Sequence, residues 1–364
     1  MNELNLKLGL RTIKSAIAVF VCIIISYLFK NRDAIFFSGV AAIVCMQQTH
    51  KESFKTGMYR FLGTFIGGII GFFVIIIGTF FSKYSNLIDV FVISIGVLLL
   101  IYLCNMLRFH LSVSISCIVF LKIVSQYGGV TDSVGALLYV FERVAFTLVG
   151  VLVAFLVNKY IFPYTQEQEE EKENETIDIM QFVKNYKIGF DYRIGMRAVK
   201  TVLCIFVCLI IAYITKDREV IFFASVAAVS CMQQTHEETF KVGRHTFWGT
   251  VLGGVLGVVV VTICVAIPNC PDIIQMALMA LSVLFIIYFC HVVRLKAGTV
   301  IACIILLKYV SHYGDLTNVS GMIPYLINPI LLYTLVGNIV ALLVNRFVFP
   351  FCTEDSVDEL EEDF

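Results

Sequence analysis

Long apolar runs broken by short polar punctuation fill this chain from end to end. A membrane-spanning helix needs roughly 20 apolar residues, with about 17 tolerated, and on that measure the pattern predicts six hydrophobic helices in the first part of the chain, near 8–28, 34–48, 61–81, 88–107, 110–124 and 137–161. Six more are predicted near 194–214, 220–234, 247–267, 273–292, 297–310 and 322–348. The second and fifth of each set are short, which leaves them tilted, re-entrant or longer than the apolar run alone indicates. A short cytoplasmic helix is expected at about 50–60, leading into the third span.

The two sets are copies. Shifting the chain against itself by 186 positions lays "CMQQTHKESFKTG" on "CMQQTHEETFKVG" with ten of thirteen letters identical. "GLRTIK" then meets "GMRAVK", "IYLCNMLR" meets "IYFCHVVR", and "LKIVSQYGG" meets "LKYVSHYGD". One residue is gained in the last span, after which Asn158 and Pro163 align with Asn345 and Pro350. Self-similarity on this scale is the signature of a duplicated structural unit. The expected organisation is a first repeat at 1–164, an acidic linker at 165–187, a second repeat at 188–351 and an acidic tail at 352–364.

Charge fixes the expected orientation. Lys and Arg collect on cytoplasmic segments, and placing the N-terminus, alternate loops, linker and C-terminus inside assigns 19 of the 27 basic residues to that side. Both termini are then cytoplasmic. An even number of spans per repeat makes the copies parallel, related by a pseudo-two-fold axis along the membrane normal. The start of the chain lacks the small-residue cleavage site of a signal peptide, so the first helix is expected to remain.

Composition agrees: 59% of residues are hydrophobic, 15% are charged and mean hydropathy is +0.88, against about a quarter charged in soluble domains. The expected class is an all-α integral membrane protein of about twelve spans in the cell membrane, with the lipid bilayer as its surroundings. Net charge is zero, and no nucleic-acid partner is expected. Most of the twelve cysteines lie inside apolar runs, where a thiol acts as a small hydrophobe; no metal-ligand spacing appears, and no metal or other cofactor is expected. A phosphate-binding G-x-x-x-x-G-K-[ST] loop is absent.

Candidate chemistry lies in the repeated polar positions. Thr49 with Glu52, and Thr235 with Glu238, read as capping boxes. Capping needs neither the glutamines Gln47, Gln48, Gln233 and Gln234 nor His50 and His236; these read as interhelical glue or as a polar path. Lys7, Arg11 and Lys14 recur as Arg193, Arg197 and Lys200, each trio on one helical face. They read as snorkelling anchors or, for Arg11, Lys14, Arg197 and Lys200, as a cytoplasmic funnel concentrating anions. Lys122 and Lys308 sit within the fifth spans, where an ammonium must snorkel, pair or face water; each is followed by a tyrosine, Tyr127 or Tyr313, able to stack on an aromatic substrate. Gly63, Gly67 and Gly71, with Gly249, Gly253 and Gly257, recur every fourth residue and predict close helix packing. Glu142, beside Arg143, and the histidines are the titrating groups available for coupling.

With these motifs laid out, "RFLGTFIGGIIG" resembles the arginine- and glycine-marked third span of the fusaric acid resistance and aromatic acid exporter family, and the plan is distantly similar to plant aluminium-activated malate channels. Arg60 matches the motif arginine, whereas the second copy has Thr246 there. The resemblance implies export of aromatic or other small organic anions, without enzymatic activity. An anion channel of the same architecture, or a membrane scaffold or enzyme of envelope metabolism, are the alternatives; no catalytic cluster recurs in both copies. A duplicated chain substitutes for a dimer of single units, so either a monomer or a homo-oligomer is compatible.

Overall fold

Two polar residues end the first helix of each repeat, and the same residues begin the next. The computed structural model describes residues 10–31, 33–81, 86–107, 112–127, 133–161, 196–233, 235–266, 272–293, 295, 298–313 and 322–348. Helix α1 (Leu10–Leu28) stops at Lys30, which takes a left-handed φ of 52°, and α7 (Met196–Thr215) stops at Lys216 with φ of 55°. A left-handed residue closes a helix by turning its last amides back, here with Lys30 N donating to Tyr27 O and Asn31 N to Ser26 O. The Asn31 side chain then accepts from Ala34 N to start α2 (Asp33–Cys45), and Asp217 accepts from Glu219 N to start α8 (Glu219–Cys231).

The repeated "QQTH" elements start α3 (His50–Phe81) and α9 (His236–Ala266). In α3 the capping box is reciprocal: Glu52 N donates to Thr49 Oγ1 at 3.2 Å and Thr49 N donates to Glu52 Oε2 at 3.4 Å. In α9, Glu238 N donates to Thr235 Oγ1 at 3.2 Å. The expected separate helix near 50–60 is instead the first turns of α3. With the polar stretch "KESFKTGMYR" joined to the apolar run, 32 residues give a rod of about 48 Å, well beyond a hydrocarbon layer of about 30 Å.

The remaining elements are α4 (Asn86–Met106), α5 (Val113–Tyr127), α6 (Ser133–Tyr160), α10 (Asp272–Val292) and α11 (Gly298–Tyr313). Helix α12 runs as α-helical Met322–Tyr325, a π-helical turn Leu326–Leu331, and α-helical Leu332–Phe347. The extra residue of the second repeat falls in this stretch, and a π-turn is how a helix absorbs one inserted residue without breaking.

Seven of the described helices are long and apolar enough to cross a membrane; five shorter apolar helices, including α2, α5, α8 and α11, are not long enough by that measure. The glycine rows bring α3 close against α5 and α9 close against α11. A Cβ on Gly67 would strike the Ser116 carbonyl of α5, and one on Gly253 the Ala302 carbonyl of α11. Gly63 lies against Ser112 and Gly71 against Ile123, as Gly249 lies against Gly298 and Gly257 against Tyr309. Helices α6 and α12 repeat the device on α2 and α8, where Gly150 meets the Ser38 carbonyl and Gly337 the Ala224 carbonyl.

Between the repeats, α1 packs on α10 as α7 packs on α4, and α2 packs on α11 as α8 packs on α5. One apolar cluster crosses this interface, joining Val40 and Ile123 to Phe222, Ala228 and Leu307. The proposed linker at 165–187 and tail at 352–364 lie outside the described residues.

Candidate functional site

The faces that α2 and α8 turn toward each other carry paired phenylalanines, Phe36 and Phe37 on one and Phe222 and Phe223 on the other. Together with α5, α11 and the polar edges of α3, α6, α9 and α12 they line a cavity of about 220 Å³. Its walls come from equivalent positions of the two repeats: Phe36 with Phe222, Phe37 with Phe223, Val40 with Val226, Thr64 with Thr250, Ile118 with Ile304. Thr147 and Thr334 complete the match once the extra residue is counted. The cavity therefore lies where the two halves meet.

Charge breaks this equivalence. Arg60 and Arg143, both from the first repeat, are the charged residues lining the cavity. Arg143 is 5% exposed, its guanidinium stands 4.4 Å from the centre of the Phe37 ring, and its Nη1 has no hydrogen-bond partner among the described residues. Arg60 Nε is likewise sealed from solvent without a partner. Neither arginine forms an ion pair among the described residues; Arg60 lies in the electrostatic field of Arg143, and Arg143 interacts with the Tyr139 hydroxyl and lies in the field of Asp33. An aromatic face offsets part of the cost of a buried cation, but unpaired N–H donors in an apolar cavity remain costly. An oxyanion placed between the arginines would receive those donors in the strong, charge-assisted geometry that guanidinium offers a carboxylate. The second repeat has Thr246 opposite Arg60 and the π-turn of α12 opposite Arg143.

Lys122 stands at the same interface. It is 7% exposed, donates to Gln126 Oε1 at 3.2 Å, and lies 5.2 Å from the centre of the Phe222 ring, which itself walls the cavity. Its charged neighbours are Lys308, Glu219, Arg143 and Asp33, so the lysines of the two repeats and the first acids of α2 and α8 converge on one region. Tyr127 packs on Tyr139, with ring centres 5.3 Å apart. The Tyr313 side chain lies outside the described residues.

The remaining sequence candidates lie elsewhere, at the far ends of α2 and α8. Lys14, 4% exposed, donates to Asn158 Oδ1 at 2.9 Å, and Lys200, 3% exposed, donates to Asn345 Oδ1 at 2.8 Å. Asn158 passes the contact on to Gln47 O and Ser53 Oγ, and Asn345 to Gln233 O, Thr235 O and Thr239 Oγ1. Each set clamps the first and last helices of a repeat to the break between its second and third. Arg11 Nε donates to Met46 O at 2.8 Å beside the same break. Gln47 turns back onto Val44 O, Gln48 is exposed, and His50 and His236 head α3 and α9. None of these residues lines the cavity. Gln234 and the Arg197 side chain lie outside the described residues, as do Lys7 and Arg193.

Sequence reading did not single out the phenylalanine doublets, although "IFF" recurs in both copies, nor the threonines following the motif glycines. It met Arg143 only as the neighbour of Glu142. That glutamate accepts a hydrogen bond from the Asn31 side chain at the α1–α2 elbow, while in the second repeat Tyr333 donates to Asp217 at 2.5 Å.

Apolar helices of spanning length, packed by glycine rows around an arginine-lined cavity, define a multi-pass membrane protein of the transporter kind. The sequence model described as aromatic acid exporter family member 1 matches the chain over residues 6–161 and 192–348, and the chain belongs to that family. No curated protein and no solved structure matches it.

Proposed function

We propose that this protein is a secondary exporter of small organic anions, foremost single-ring aromatic carboxylates, that binds its cargo in the cavity between its repeats. The observation that supports the reading is a pair of arginines, each with one buried, unpartnered guanidinium nitrogen, lining a cavity walled by phenylalanines. The donors suit a carboxylate and the rings suit an aromatic body. A volume of about 220 Å³ falls below the range of drug-sized ligand sites and favours one ring over two.

In this account twelve spans form two parallel six-helix repeats about an axis along the membrane normal, in the cell membrane, with both termini cytoplasmic. Arg11 and Arg197 gather anions at the inner mouth, while Lys14 and Lys200 brace the helix junctions. Lys122 and Lys308, with Tyr127 and Tyr313, form the outward step, where Asp33 and Glu219 keep the anion from being held too tightly. No ATP is needed: an anion leaving a cell that is negative inside is driven by about 2.3 kcal/mol per charge per 100 mV. Purified protein in liposomes should take up labelled benzoate with saturating kinetics and exchange it against internal benzoate. Linear, non-exchanging flux would instead assign the same architecture to a channel.

A further inference from the structure

A second hollow lies away from the arginine-lined cavity, on the flank where α4 of the first repeat meets α7 of the second. It is a groove of about 640 Å³, with an apolar channel formed by residues such as Val74, Ile93 and Leu209 and a polar end at the α7–α8 elbow. Asp89, in the first turn of α4, faces this groove; its Oδ1 is buried and has no hydrogen-bond partner among the described residues. Lys216 and Arg218 line the same polar end, and Arg218 lies within the electrostatic reach of Asp89.

A buried carboxylate oxygen without a donor carries an uncompensated desolvation cost, and the Asp89 side chain lines a space large enough for a ligand. That ligand must present a hydrogen-bond-donating cation to Asp89, an anion to the Lys216 and Arg218 end, and a hydrocarbon chain to the apolar channel. We infer that the groove binds a phospholipid with a primary-amine headgroup, of the phosphatidylethanolamine type, its ammonium on Asp89, its phosphate toward Lys216 and its acyl chain between α4 and α7. The charge order separates this lipid from its competitors. A phosphatidylcholine headgroup carries the positive charge but no N–H to give Asp89, and phosphatidylglycerol carries no cation at all. On the other flank the position equivalent to Asp89 is Gln275, a neutral amide, so one such lipid per chain is expected.

The test is native mass spectrometry of the full chain released from nanodiscs containing equal parts of the three lipids. Wild-type protein should retain one phosphatidylethanolamine with about tenfold preference over phosphatidylcholine, the factor expected for one charge-assisted hydrogen bond. Asp89→Asn should bring the two to parity, and Lys216→Ala should weaken retention of both while leaving their ratio in place. Both variants are read only after their melting temperatures match the wild type; a lower value in Asp89→Asn moves the comparison to Asp89→Gln, the amide present on the other flank. Equal retention of the three lipids by wild type, or an undiminished phosphatidylethanolamine preference in the folded Asp89 variant, overturns the assignment.

Discussion

At the residue scale, buried charge separates into two kinds. Lys14 and Lys200 each donate to a buried asparagine, Asn158 or Asn345, and removing the acceptor strands an ammonium away from water. Asn158→Leu or Asn345→Leu should therefore lower the melting temperature by the equivalent of about 2–3 kcal/mol, read by tryptophan or dye fluorescence in detergent. Arg143 has the opposite character, because part of its guanidinium is already unpartnered. Replacing an unsatisfied buried charge with an apolar side chain of similar size is neutral or stabilising, so Arg143→Met should melt at or above the wild-type temperature while losing transport. The recurrence of Lys14 with Lys200 and of Asn158 with Asn345 was visible in the sequence. Their pairing was not, since the partners are separated by 144 and 145 residues and no local pattern links them.

At the element scale, the glycine rows act through close approach. A Cβ at Gly67 or Gly253 would meet backbone carbonyl of α5 or α11, an atom that cannot rotate aside. Gly67→Val and Gly253→Val should each separate the helix pair and abolish monodisperse purified protein, whereas Gly78→Ala, whose added Cβ would come no nearer than 3.8 Å to Asp89 Oδ1, should be tolerated; size-exclusion chromatography after solubilisation reads both. Helix positions followed closely from apolar run length, and even the short second and fifth helices were legible. The continuity of α3 and α9 was hidden because their first turns are polar and resemble an interfacial segment. The extra residue of the last span was countable in the alignment of the two copies. Its form, a π-turn opposite Arg143, depends on packing that no count reveals.

At the scale of the whole molecule, duplication places equivalent residues around one cavity, and divergence then makes its two sides unlike. The fifth-helix lysines could be read from sequence because a lysine in an apolar run is conspicuous. The cavity's own walls could not, because Phe36, Phe37, Phe222 and Phe223 look like any membrane-facing aromatics until α2 and α8 face one another. The proposed parallel arrangement of the repeats also makes a prediction about sidedness. Cysteine-accessibility labelling of intact cells should leave probes in the 165–187 segment unmodified and label probes beside Lys83; labelling of the linker from outside would contradict its proposed cytoplasmic placement.

The measurement that bears most directly on the exporter reading is benzoate uptake into liposomes, at a fixed membrane potential, by the double variant Arg60→Gln with Arg143→Gln. Loss of two charge-assisted contacts should reduce kcat/KM by about 100-fold or more in protein that reconstitutes as well as wild type. Uptake at the wild-type rate would remove the cavity between the repeats from the path of the anion.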